Sequence, residues 1–217
     1  MRVGTLRDII SNAFSHEEKT LTFRRHLEEH SDGLPNHLSI EEGNHADTLL
    51  FFSMEYIHQV PDFLDALKRA AEKAGIEKHV FPFLKIAEDY FVSPPKLPND
   101  HIGLLALMDE AYLAHRLFEE VNDRYISRVG LPLIPWDMTL ANVVAHALIG
   151  EELANQLDDA VHETACQMMD HEHHYDSSVF TDHVNERKGN TISVWQEWPC
   201  LSKTMGIEWG ISATAAL

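Results

Sequence analysis

Residues 100–165 constrain the fold of this chain more than any other stretch. They form two long segments, DHIGLLALMDEAYLAHRLFEEVNDRYISRVG and WDMTLANVVAHALIGEELANQLDDAVHETA, parted by Gly130-Leu131-Pro132-Leu133-Ile134-Pro135. Apolar residues recur at helical spacing in both segments, and the Gly/Pro break between them stops a helix. The stretch therefore reads as one antiparallel helical hairpin. Each arm also carries His and Glu where a plain core would carry Leu. His115 and Glu119 lie one turn apart on the first arm, and His146 and Glu151 sit at i, i+5 on the second. Folded back across the break, Glu119 and His146 fall about 10 residues from the turn, and His115 and Glu151 about 15, at 1.5 Å rise per residue. Four ligand-type side chains then share nearly one level of the hairpin.

The rest of the chain reads as helical too. Residues 5–30 repeat Ile9, Ile10, Ala13, Leu21, Phe23 and Leu27 at roughly helical spacing, in one or two pieces, and Ser31-Asp32-Gly33-Leu34-Pro35-Asn36 stops them. Residues 39–59 form the next expected helix, with Ser39 and Glu42 spaced as a capping box. Pro61 opens a further helix that Gly75 ends, and residues 77–92 make another, rich in Phe. The loop 93–98 leads to the hairpin, whose second arm runs on towards CQMMDHEHHYD. The sum is an all-α helical bundle, a four-helix core with extra short helices and a long connection over 60–99 between two helical pairs. This bundle fills residues 1–176. Residues 177–217 are expected as an irregular tail packed on it through Trp195, Trp198 and Trp209.

Composition narrows the function classes. The chain has 217 residues, 44% of them hydrophobic, which suits one folded domain. A formal charge of −18 disfavours nucleic acid and anionic membranes as partners. No run of about 18 apolar residues is present, so no membrane span is expected. The amphipathic start MRVGTLRDIISNAF lacks a signal-peptide core, and Cys166 and Cys200 form no C-x-x-C pair, so a reduced, cytoplasmic setting is expected and a structural zinc site is not. No nucleophile elbow, P-loop or dinucleotide fingerprint occurs.

The candidate site residues each have a plainer reading. Glu42 and His45 make an E-x-x-H step, able to hold one ion from one helix face; the plainer reading gives Glu42 to the cap and His45 to the flank. His115 stands in its arm's apolar arc with Ala111, Phe118 and Asn122, where a core histidine satisfied by a hydrogen bond is the commoner case. Glu119 borders that arc and Glu110 borders its other side, while Arg116 falls on the polar arc with Asp109, Glu120 and Asp123. On the second arm, His146 flanks one side of the inward arc and Glu151, Asp158 and His162 the other, with Gly150 leaving room between them. The run His171-Glu172-His173-His174 reads as a solvated helix end. Taken jointly, carboxylates and imidazoles facing each other, with few Lys or Arg on the inner arcs, suit a pair of iron or manganese ions.

These residues resemble those of ferritin-like and heme-oxygenase-like non-heme diiron proteins, and the long 60–99 connection also suits a ferritin-like bundle. The second E-x-x-H of ferritin-like enzymes is replaced here by Asp159-x-x-His162 or Asp170-x-x-His173. A second resemblance is to hemerythrin-like bundles, whose H-x-x-x-E and H-x-x-x-x-D steps are similar to His115/Glu119 and His146/Glu151; the H-x-x-x-H pair His26/His30 comes in the wrong chain order. The resemblance implies metal ligands Glu42, His45, His115, Glu119, His146 and Glu151, with Glu28, Glu110, Asp158 and His162 in reserve. It implies O₂ activation for oxidation of a small organic substrate, with electrons from an external donor, Phe51, Phe52, Met54, Met108, Tyr112 and Phe118 as pocket walls, and a homodimer. The alternatives are a non-catalytic bundle that senses O₂ or stores iron, and a metal-free helical protein that binds a small ligand or partner.

Overall fold

The computed structural model describes residues 2–30, 38–40, 45–94, 103–168, 175, 177–189 and 201–209. It is an all-α helical bundle with one small β ladder. Helix α1 spans Val3–Thr20 and α2 spans Thr22–His30. Leu21, at φ 51°, breaks the segment into two pieces. Glu17 caps the second piece. Its carboxylate is buried, and it accepts the backbone N–H groups of Phe23 and Arg24 at 3.0 Å each. The first N–H groups of a helix have no partner within it, so an acceptor there is stabilising, the more so when charged.

Strand β1 (Leu38–Ile40) precedes α3 (His45–His58). Helix α4 (Val60–Ala74) follows at once, with Pro61 in its first turn and Gly75 ending it at φ 69°, as the sequence predicts. Helix α5 (Glu77–Val92) matches its expected span. Helix α6 (Leu104–Val129) is the central post of the bundle, packed against α1, α3, α4 and α5 and against the chain that returns after it. Leu107, Met108, Ala111, Ala114, Leu117, Phe118 and Tyr125 are all buried along it.

The return arm is the first departure from expectation. It is two helices, α7 (Thr139–Ile149) and α8 (Glu151–Met168), both packed on α6. Gly150, at φ 90° and ψ 143°, separates them, a conformation that side chains with a Cβ rarely adopt. The turn before α7 is tied to α6 by Asn122, whose Oδ1 accepts the N–H groups of Leu133 and Ile134 at 2.8 and 3.1 Å.

Three further departures follow. Residues 39–40 belong to a strand and the helix begins at His45, so a capping box at Ser39 does not start it; Glu42 lies outside the described residues. Residues 178–189 are not irregular: they form α9 (Ser178–Gly189), which packs on α4. Its one fully apolar run is Val179-Phe180, too little for periodicity to announce a helix. A short α10 (Leu201–Thr204) leads to β2 (Ile207–Trp209). That strand pairs antiparallel with β1, Leu38 opposite Trp209 and Ile40 opposite Ile207, tying the end of the described chain to its first third. No helix among the described residues is long and apolar enough to cross a membrane.

Candidate functional site

His115 is where expectation and structure part most clearly. It is fully buried. Its Nε2–H donates to the backbone carbonyl of Tyr56 at 2.8 Å. That carbonyl lies in the last turn of α3, where helical carbonyls lack a partner within the helix. A carbonyl only accepts, so Nε2 carries the proton, and Nδ1 has no hydrogen-bond partner among the described residues. The rings of Tyr56, Phe63 and Phe118 surround the imidazole, with centroids 4.1, 5.1 and 5.8 Å away. Burial lowers its pKa to about 4, so the ring is neutral at pH 7. His115 closes the α3–α4 corner and does not face the returning arm.

Glu119 does face that arm. A cavity of about 620 Å³ opens between α6, α7 and α8, lined by Tyr112, Arg116 and Glu119 from α6. Helix α7 contributes Thr139, Asn142, Val143, His146 and Ala147, and Gly150, Glu151 and Asp158 close the wall. Arg116 ties the carboxylates together: its Nε donates to Asp158 Oδ1 at 2.7 Å and its Nη1 to Glu119 Oε2. Tyr112 donates its hydroxyl to the Asp158 carboxylate, 3.0 Å from each oxygen. Asn142 donates from Nδ2 to Glu119 Oε2 at 2.9 Å, and its Oδ1 accepts the Tyr56 hydroxyl at 2.7 Å. Tyr56 is fully buried and its hydroxyl can only be the donor to that oxygen, which turns the Asn142 amide nitrogen towards Glu119. The His146 ring stands edge-on to Tyr112, 6.0 Å between centroids at 73°.

The electrostatics agree with this network. Burial opposes the charge on Arg116, but the Asp158 hydrogen bond and the carboxylates of Glu119 and Asp158 outweigh it and hold the guanidinium protonated well above its usual range. Burial, with Asp158 adding to it, raises the Tyr112 hydroxyl, and burial above all raises that of Tyr56. Both stay protonated as donors at neutral pH. An anion entering the cavity would meet a guanidinium already shared by two carboxylates.

Of the six predicted ligands, the five among the described residues are not all brought together. Glu119, His146 and Glu151 line one cavity with the reserve residue Asp158. His115 is turned into the core, and His45 is exposed at the start of α3. Glu42 lies outside the described residues, as do Asp170 and the run His171–His174. Among the described residues no group of three or more His, Cys, Asp and Glu side chains could hold a metal ion. Arg116, which the helical period puts on the polar arc, reaches between Glu119 and Asp158 and pairs with both, while His115 is held by the Tyr56 carbonyl.

Of the other reserve residues, Glu28 is exposed on α2 and pairs with Arg24, while His162 is exposed beside Cys166. Glu110 is buried away from the cavity residues on α6, 4% exposed, and its Oε2 has no hydrogen-bond partner among the described residues. Burial first, and the Asp109 carboxylate second, push its pKa up to about 8. Sequence reasoning missed Arg116 and Asn142 as site residues. The signal for Asn142 was present: Thr139, Asn142, His146 and Gly150 follow one another at helical spacing.

Fold and cavity together define the class as an all-α bundle with a polar, three-helix pocket. No protein-family model, curated protein or solved structure matches the chain.

Proposed function

We propose that this chain is a small-molecule-binding helical protein and that the cavity between α6, α7 and α8 is its site. One observation carries the reading: polar side chains from three helices converge, already hydrogen-bonded to one another, on a cavity of about 620 Å³. That volume lies in the range of ligand sites, roughly 300–1,000 Å³. Groups mounted on packed helices are held before the ligand arrives, which lowers the entropic cost of binding. The test is a thermal-shift screen of a metabolite library against the wild type and Val143→Trp, which fills the cavity from α7. Ligands of this site raise the melting temperature of the wild type alone. A library in which every hit stabilises both proteins equally argues against the site.

A second reading is favoured by Glu119, His146, Glu151 and Asp158 lining the same cavity. It is a non-heme iron oxidoreductase, with manganese as the other candidate metal, that oxidises a small organic molecule with O₂ and an external electron donor. It requires Arg116 to give up at least one carboxylate to metal. Metal analysis of untagged protein expressed with added iron separates the two readings. Stoichiometric iron that is lost in Glu119→Gln supports the oxidoreductase; its absence from the wild type leaves the ligand-binding reading.

A further inference from the structure

We infer that the ligand of this cavity is a small organic cation, an aliphatic amine whose ammonium group is received by Glu119, Asp158 and Glu151 and whose methylenes lie on Val143 and Ala147. The inference rests on the binding reading above and specifies its chemistry. Three observations lead to it. First, three carboxylates line the cavity and one guanidinium faces them. Second, the hydrogen-bonding capacity left in the wall is mainly accepting. The Tyr112 hydroxyl donates to Asp158, and Asn142 and Arg116 donate to Glu119. Among the described residues Glu119 Oε1 keeps only a long contact to the Thr139 hydroxyl, at 3.4 Å, and a carboxylate oxygen has two lone pairs to fill. Third, the α7 side of the cavity is apolar and narrow in chemistry, Val143 and Ala147, with the Tyr112 and His146 rings beside it. Ammonium groups bind carboxylates by charge-assisted hydrogen bonds and sit favourably on aromatic faces, while an alkyl chain needs only the apolar wall. A carboxylate or phosphate ligand would add charge of the same sign as Glu119, Asp158 and Glu151, with Arg116 as the one opposing charge in the lining. Charge alone does not make the argument, since the chain carries a formal charge of −18; the apolar wall of Val143 and Ala147 beside the acceptors does.

Isothermal titration of the full chain with 1,4-diaminobutane and hexylamine, and with hexanol and hexanoate as length-matched neutral and anionic controls, tests it. The amines bind at one site per chain and the controls do not. Affinity falls about tenfold or more in Glu119→Gln and in Glu151→Gln, the effect of losing one charge-assisted bond. Binding is abolished in Val143→Trp, with Ala147→Leu as the milder filling variant, each checked for a wild-type circular dichroism spectrum. Amine binding that survives both Gln variants is attraction to the acidic surface and overturns the inference. Binding of hexanol or hexanoate that Val143→Trp abolishes also overturns it, while leaving the cavity a ligand site. Binding of no probe, together with library hits that ignore Val143→Trp, removes the site and the inference with it.

Discussion

Glu110→Gln is the most direct test of the electrostatics inside this bundle. The carboxyl is 4% exposed on α6, and burial together with Asp109 raises its pKa from 4.5 to about 8. The folded chain thus holds this proton more tightly than the unfolded chain. Stability is lost as pH rises through the interval between those two values, and the loss levels off above the folded one. At about 1.4 kcal/mol per pH unit, the group costs roughly 1 kcal/mol at pH 5 and about 3 kcal/mol at pH 7. Glutamine keeps the shape and cannot ionise, so the variant escapes this cost. The measurement is urea unfolding of both proteins at pH 5, 6 and 7 at fixed ionic strength, followed by circular dichroism. Taking the difference between the two proteins cancels the titrating groups that do not interact with Glu110 and leaves Glu110 with its neighbour Asp109. The stability advantage of Glu110→Gln grows by about 2–3 kcal/mol from pH 5 to pH 7. A difference that stays flat across that range refutes the assignment of a protonated Glu110 to the folded state.

Other positions give shorter tests. His115→Leu leaves the Tyr56 carbonyl at the end of α3 without its donor and lowers stability by about 1–3 kcal/mol in urea titrations, against the harmless outcome a plain core position would show. In the wild type the same residue, with its folded pKa near 4, sheds stability as pH falls from its ordinary value of 6.5 towards 4, a limb that His115→Leu removes from the pH–stability curve. Asn122→Ala frees two buried backbone N–H groups in the turn before α7 and costs about 2–4 kcal/mol, with faster amide exchange at Leu133 and Ile134 as its signature. Gly75→Ala is strained twice over, by its φ of 69° and by a Cβ that would lie 2.8 Å from Val179 Cγ1. It costs roughly 1–2 kcal/mol, and Val179→Ala in the same chain, which removes the Cγ1 contact, recovers part of that.

Much of the fold was readable without coordinates because it is written in local chemistry. Pro61 and Gly75 bound α4, and the α5 span follows from a run of apolar residues ahead of the Ser93-Pro94 loop, whereas the break at Leu21 fell on a residue that fits the helical period. The hairpin around residues 130–135 was readable for the same reason. Where the signal is weak, the sequence was silent: α9 has only a brief apolar run, and the pairing of residues 38–40 with 207–209 joins segments far apart in the chain. Gly150 was visible as a gap in the return arm but not as the end of a helix, because a lone glycine inside a helical pattern is compatible with either.

The site divides along the same line. Helical period and hairpin symmetry put His115, Glu119, His146 and Glu151 on facing arms at similar distances from the turn, and three of the four, Glu119, His146 and Glu151, do line one cavity. What these side chains do there depends on how the helices pack. A helical wheel gives the direction of a side chain's root, not the reach of its tip. Arg116 starts on the polar arc, yet its long side chain returns to bridge Glu119 and Asp158. His115 starts on the inward arc, yet it is claimed by an orphaned carbonyl at the end of α3, a group whose position depends on how another helix packs. Hydrogen-bond satisfaction is settled between elements, and those two competitions fix where His115 and Arg116 point in the folded chain.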